Sequence, residues 1–201
     1  MNIYTLNGQV LTNDGKWLKE KEGPGPGPSP EEVTIGTQVW TAKNLAIDDG
    51  GTGIIKVDNV TANGVNFGTQ YYYTKTAAER IAATVNGYHL PTSSEISTFY
   101  SYIYTTYCDQ AQDPLPACKA ITSTSGWDSV QGTNTTGLEL LPIGWSNPSG
   151  NLSEVGSNAV FRFADGKVVQ IHLGASAINI WNSQNNWGDS YLGPVRLIKD
   201  S

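Results

Sequence analysis

The chain has 201 residues, 38% of them hydrophobic and only 15% charged, with 22 Gly, 6 Trp, 10 Tyr and a net charge of −6. That length fits one domain of about 170 residues plus an appendage, large enough to bury a core without a metal or disulfide staple. Low charge with abundant Gly and aromatics argues for short strands and long ordered loops over a helix bundle. The absence of any Lys/Arg cluster argues against nucleic acid as a partner, since counterion release has little to work with.

Residues 1–22 read as a short β-strand anchor. Ile3, Leu6, Val10, Leu11, Trp17 and Leu18 supply the apolar positions, and Asn7-Gly8 and Asn13-Asp14-Gly15 supply tight turns. Two or three such strands have no core of their own, so the segment is expected to pair with a second chain or with a copy of itself, making the chain a homo-oligomer. The start has no basic n-region, apolar run, cleavage site or nearby lipid-carrying Cys. Read as native, it predicts synthesis in the cytoplasm without a signal peptide, and no stretch reaches the ~20 apolar residues of a membrane span. Residues 23–31, with Pro24, Pro26, Pro28 and Pro30 interleaved with Gly23, Gly25 and Gly27, read as an extended Gly/Pro linker.

Residues 32–201 read as a globular head. Two strand pieces surround the turn at Gly36-Thr37 and end near Asn44-Leu45, a loop follows at Asp48–Gly53, and Tyr71–Tyr73 forms a strand after the Asn63-Gly64 turn. A helix is expected near 75–83 behind a Thr74 cap. A second is expected near 92–105, where Thr92 and Glu95 form a capping box and Ile96, Phe99, Tyr100 and Ile103 recur at helical spacing. Val168–Leu173 and Val195–Ile198 read as later strands.

Little in this pattern is catalytic. His89 and His172 are far apart, and no His-Glu-x-x-His, Cys-x-x-Cys, Gly-x-Ser-x-Gly or phosphate-binding Gly motif is present. His89 is expected to bridge loop carbonyls as a buried ring, and His172 to be a half-exposed strand residue. Cys108 and Cys118, ten residues apart, are compatible with a disulfide or with a free pair. The chain is therefore read as a non-enzyme, with a glycan-active enzyme built from two separated carboxylates as a remote alternative.

Seven phrases follow one another along the head: Ile35–Leu45 with Trp40, Tyr71–Thr74, Gly87–Glu95, Thr122–Trp127, Asn134–Gly137, Leu141–Trp145 and Pro194–Asp200. Their order and spacing resemble the Fibrobacter succinogenes major paralogous domain, a family of Bacteroidetes and their phages. The resemblance implies an α+β, C-type-lectin-like fold related to the formylglycine-generating-enzyme scaffold, with two helices and several short antiparallel strands. It also implies core or under-loop positions for Trp40, Leu45, Leu90, Trp127, Leu141, Trp145 and Val195. The related enzymes use redox-active cysteines near the end of the domain, and this chain has none after Cys118. Sugar-binding lectins of the wider fold hold Ca2+ through carboxylate-containing triplets. The nearest strings here, Asn147-Pro148-Ser149 and Trp181-Asn182-Ser183, lack the carboxylate, so no cofactor is expected. Asp48-Asp49 is a weak independent Ca2+ candidate.

The same resemblance makes the penultimate loop the ligand face. There the chain sets Asn179, Trp181, Asn182, Gln184, Asn185, Asn186, Trp187, Asp189 and Tyr191 close together. Rigid aromatics with adaptable amides are the mixture that binding surfaces use. The expected function is thus a binding module that attaches to a bacterial surface glycan or protein. It would be displayed on a virion, with residues 1–22 pairing with other virion proteins, or, alternatively, on a bacterial cell surface. A purely structural phage head, tail or fibre protein is the competing reading.

Overall fold

The computed structural model describes residues 30–108, 113–173 and 188–200, together with the strand backbone at 5–6, 9–11, 17–19 and 180–183. Three short strands, β1 (Thr5–Leu6), β2 (Gln9–Leu11) and β3 (Trp17–Lys19), pair with one another as an antiparallel meander. Among the described residues they form a sheet of their own and share no ladder with the head. The expected strand content of the first 22 residues is present, in pieces of two or three residues.

The head is mixed α and β, with three helices and many short antiparallel strands in small sheets. Strands β4 (Glu32–Ile35) and β5 (Gln38–Thr41) form a hairpin. Next come β6 (Ile54–Val57), β7 (Thr61–Ala62), β8 (Val65–Asn66) and β9 (Gln70–Tyr73), in which β6 pairs with β9 around the β7–β8 hairpin. That inner hairpin turns on Asn63 and Gly64, both at positive φ (47° and 78°). An Asn-Gly pair adopts this geometry most easily, and the resulting twist matches the flanking strands.

Helix α1 (Lys75–Ala82) starts where Thr74 accepts the Ala77 N–H at 3.2 Å. After β10 (Tyr88–His89), α2 (Ser93–Tyr107) opens on the capping box. In that box the Glu95 carboxylate accepts the Thr92 N–H at 2.7 Å, and Thr92 Oγ1 accepts the Glu95 N–H at 3.3 Å. Helix α3 (Leu115–Ile121) was not expected from the sequence. Pro114 and Pro116 do not bar it, since a helix tolerates Pro in its first turn, where the missing N–H would have no partner anyway.

Strands β11 (Trp145–Ser146) and β12 (Leu152–Ser153) form a small hairpin. Strands β13 (Asn158–Arg162), β14 (Val168–His172) and β15 (Ile180–Ser183) form a three-stranded antiparallel sheet. The last strand, β16 (Ile198–Lys199), is shorter than the expected Val195–Ile198, because Val195 instead makes a single parallel bridge to Arg162. β16 lies between β5 and β10, so the beginning and end of the head close one four-stranded sheet, with Trp40 opposite Ile198.

The main core forms around Trp40, which is fully buried against Phe99 (ring centroids 5.0 Å) and Phe161 (5.8 Å, edge-on). α2 contributes Ile96, Phe99 and Ile103; α3 contributes Ala117, Cys118 and Ile121; β13 and β14 contribute Ala159, Phe161, Val169 and Ile171. A second cluster joins Ala77 and Ile81 of α1 to Leu45, Tyr73, Leu90, Val195 and Leu197. Trp40, Leu45, Leu90, Trp127 and Val195 are buried as expected, while Leu141 and Trp145 are only half-buried. No helix among the described residues is long and apolar enough to cross a membrane.

Candidate functional site

Two regions concentrate polar and aromatic groups. The first is the C-terminal segment singled out above. Asn179, Gln184, Asn185, Asn186 and Trp187 lie outside the described residues. Trp181 and Asn182 lie on β15, in register with Gln170 and Val169 of β14. Past the segment the chain is stitched to the head at several points. Gly188 O accepts the Lys75 N–H at 3.2 Å, Leu192 and Ser146 exchange two backbone hydrogen bonds (2.8 and 2.9 Å), and Gly193 and Tyr73 exchange two more (3.0 and 2.9 Å).

Asp189 and Tyr191 do not act alike. Both Asp189 carboxylate oxygens are engaged by Thr76, one by its N–H at 3.0 Å and one by its hydroxyl at 2.9 Å. Those bonds hold the Asp189 carboxyl below its ordinary range, the Thr76 backbone bond most strongly. Asp189 therefore fastens the segment to the first turn of α1, where a negative charge also suits the helix dipole. Tyr191 is 41% exposed and meets Trp145 edge-on at 4.9 Å, so an aromatic pair stands at the exit of the segment.

Beneath this exit lies Arg162, 1% exposed in an apolar strand. Its Nε donates to Tyr73 O at 2.6 Å and its Nη2 to Tyr191 O, while Nη1 is buried without a hydrogen-bond partner among the described residues. Burial pushes its pKa down to about 10, against the opposing charges of Asp189 and Glu79.

The second region is a cavity of about 270 Å3 whose lining comes from four distant stretches of chain: Lys43–Ala46, Phe67 with Thr69–Tyr71, Glu139 with Leu141, and Arg196. Arg196 is 1% exposed and donates to Asn44 Oδ1 (2.7 Å), Thr41 O (3.0 Å) and Glu139 O (3.2 Å). Burial without a carboxylate at hydrogen-bond distance pushes its pKa down to about 9. At the mouth, Lys43 forms an ion pair with Glu139. The sequence reading missed this region because its parts are separated by up to about 150 residues. The one available signal was an Arg inside the apolar run Val195–Ile198, since a charged residue there must be paired or hydrogen-bonded. A groove of about 700 Å3 also runs between the β4–β5 turn and α2. The α2 hydroxyls of Ser97, Thr98 and Thr105 are spent on the helix's own carbonyls.

The remaining candidates resolve as follows. His89 is part-exposed and bridges two carboxylates, Asp200 (Nδ1, 2.6 Å) and Glu95 (Nε2, 2.8 Å), where a buried ring between carbonyls was expected. It lies on β10 next to β16, which brings Asp200 within reach. His172 is half-exposed at the end of β14, 3.9 Å from Glu154. No disulfide joins Cys108 and Cys118. Cys118 packs into the core from α3, and burial pushes its thiol up to about 12.

Asp49, half of the Ca2+ candidate, is gripped by Arg80 Nε and Nη2 (2.7 and 3.1 Å), and the Arg80 bonds lead the causes that bring its carboxyl to about 2. The protein's own cation thus occupies that carboxylate. Asn147 Oδ1 is spent on the N–H groups of Ser149 and Asn151 in the β11–β12 turn. Among the described residues no group of three or more His, Cys, Asp or Glu is placed to hold a metal ion. No family model matches the chain, and neither a curated protein nor a solved structure matches it.

Proposed function

We propose that this chain is a non-enzymatic binding module: a C-type-lectin-like head of the Fibrobacter major paralogous kind that attaches to a bacterial surface glycan or protein. It would be displayed on a phage virion or, alternatively, on a bacterial surface. The observation that carries this reading is the framing of the segment between β14 and β16. On one side β15 is laddered onto β14 over four residue pairs. On the other, Asp189, Leu192 and Gly193 are tied to α1, β11 and β9. A stretch rich in indoles and amides is thereby mounted on rigid elements, the arrangement by which scaffolds present recognition loops. Closure of the head by pairing β5 with β16 and the burial of Trp40, Leu45, Trp127 and Val195 support the lectin-like assignment.

Sugar hydroxyls exchange bonds to water for bonds to protein at small net gain, so affinity per head is modest. Attachment then needs several heads on one particle. The test replaces Trp181, Trp187, Asn185 and Asn186 together by Ala, then measures attachment to bacterial cells and the thermal melt. Loss of attachment with an unchanged melt supports the reading. A variant that melts normally and attaches like the parent moves the protein to the purely structural class.

A further inference from the structure

We propose that the cavity above Arg196 is a binding pocket for one acidic sugar residue, a hydroxylated ring bearing a carboxylate. This pocket is distinct from the described part of the C-terminal segment: of its candidate residues with described side chains, neither Asp189 nor Tyr191 lines it.

Charge supplies the first argument. A guanidinium carries five N–H groups, and the bonds from Arg196 to Asn44, Thr41 and Glu139 use three of them. All three acceptors are neutral oxygens, so this buried cation has no carboxylate among those hydrogen-bond partners, although the charge of Glu139 acts on it from farther off. Such an ion projects a positive potential into the adjoining space, where low dielectric weakens screening. Lys43 and Glu139 at the mouth offset each other as an ion pair. Counted together, the lining carries two cations against one carboxylate. The pocket therefore favours an anionic group even though the whole chain carries −6.

Shape supplies the second. Phe67 and Tyr71 give the cavity two half-buried aromatic rings, flat apolar surfaces suited to the C–H face of a sugar. Gln70 stands between them. Its Oε1 accepts from Asn44 Nδ2 at 3.2 Å and its Nε2 donates to Phe67 O at 2.7 Å, which fixes the amide and leaves it a further N–H and lone pair for hydroxyls.

The backbone supplies the third. Glu139 is a non-Gly residue at φ 50°, a left-handed conformation that costs free energy and recurs at ligand-holding positions. Asn134 Oδ1 holds it there by accepting the Glu139 N–H at 2.8 Å. The same conformation lets one residue give its carbonyl to Arg196 and its carboxylate to Lys43.

The experiment titrates the full chain with glucuronic acid and, separately, with glucose, followed by isothermal calorimetry or protein NMR. Glucuronate is expected to bind, with glucose at least about tenfold weaker. Lys43→Met leaves the Glu139 carboxylate unpaired beside the ligand and is expected to weaken glucuronate several-fold with an unchanged melt, since Lys43 is largely exposed. Tyr71→Ala is expected to weaken binding by removing the stacking surface. Equal affinity for the two sugars, no binding of either at millimolar concentration, or a Lys43→Met protein that binds glucuronate like the parent would each overturn the proposal. The alanine variants of the C-terminal segment leave this titration unchanged, so failure of one site is distinguishable from failure of the other.

Discussion

Asp189 reaches back 113 residues to Thr76, taking its N–H on one carboxylate oxygen and its hydroxyl on the other. One side chain thereby caps the first turn of α1 and fixes the exit of the polar-aromatic segment. The resemblance and the local composition put Asp189 on the ligand face; in the structure both its carboxylate oxygens bond to Thr76. Asp189→Ala should cost about 1 kcal/mol, as for loss of a helix N-terminal acceptor, and should raise hydrogen exchange at residues 75–77. Asp189→Asn should recover much of the loss, since an amide oxygen still accepts one bond. A melt unaffected by Asp189→Ala would show that the cap contributes nothing.

His89 sets both ring nitrogens within hydrogen-bond distance of carboxylates, and only the imidazolium, with two N–H groups, can donate to both at once. Burial pulls its pKa down, but the hydrogen bonds and charges of Asp200 and Glu95 outweigh this, and the net shift is upward. A raised folded-state pKa contributes stability that is complete below the unfolded value, about 6.5, and is lost as pH rises through the folded value. Glu95 acts in the opposite sense. Burial raises its pKa, but the bonds from Thr92 and His89 lower it overall, so its contribution is present above the ordinary carboxylate range and lost in acid. The melting temperature should therefore fall as pH rises from about 6 to 9, with β10 and the C-terminus loosening first. His89→Asn should flatten that alkaline slope. Identical slopes in the two proteins would rule the clasp out.

Trp40 is enclosed by Phe99 and Phe161, yet its indole N–H is buried without a partner among the described residues. Trp40→Ala should cost about 3–5 kcal/mol through lost burial and the cavity left behind, enough to unfold a marginal domain. Trp40→Phe should cost distinctly less, because it keeps an aromatic ring and removes the unsatisfied donor. Chemical denaturation of both variants separates the packing effect from the polar one.

Features encoded by neighbours in sequence were the legible ones. Thr92 with Glu95 announced α2, and Asn63-Gly64 announced the β7–β8 turn, since each depends on residues at most three apart. Features that depend on distant approach were hidden. Arg162 sits in the apolar strand β13 and Arg196 in the apolar run leading into β16; they find carbonyl partners on β9 and β5, and no local pattern reveals a partner 89 or 155 residues away. The cavity over Arg196 was invisible for the same reason. The Leu141–Trp145 phrase acquires a cause only in three dimensions. Gly144 has φ 58°, and a Cβ there would lie 1.9 Å from the Ser153 carbonyl oxygen. Gly144→Ala should therefore destabilise the head by more than about 1 kcal/mol. Gly50→Ala, with φ 73° but no atom within 4 Å of the added Cβ, should cost only the backbone strain. Equal melts for the two variants would refute the close-approach argument.

The N-terminal meander and the head use separate sheets, and the head's own ladder begins at Glu32. Among the described residues, a backbone bond from Ala42 N to Glu31 O, at 2.7 Å, ties the first residues of the head to β5's end. Deleting residues 1–29 should consequently leave the melt of the head nearly unchanged. If the meander is the anchor through which several copies assemble, the same deletion should lower the oligomeric state measured by light scattering. Attachment to cells should fall by about 10²-fold or more while binding of a soluble ligand per head stays constant, because only the effective concentration of linked sites is lost. The two readouts must move apart: a truncated protein that stays oligomeric and attaches like the parent would place the assembly contacts in the head and leave the meander without that role.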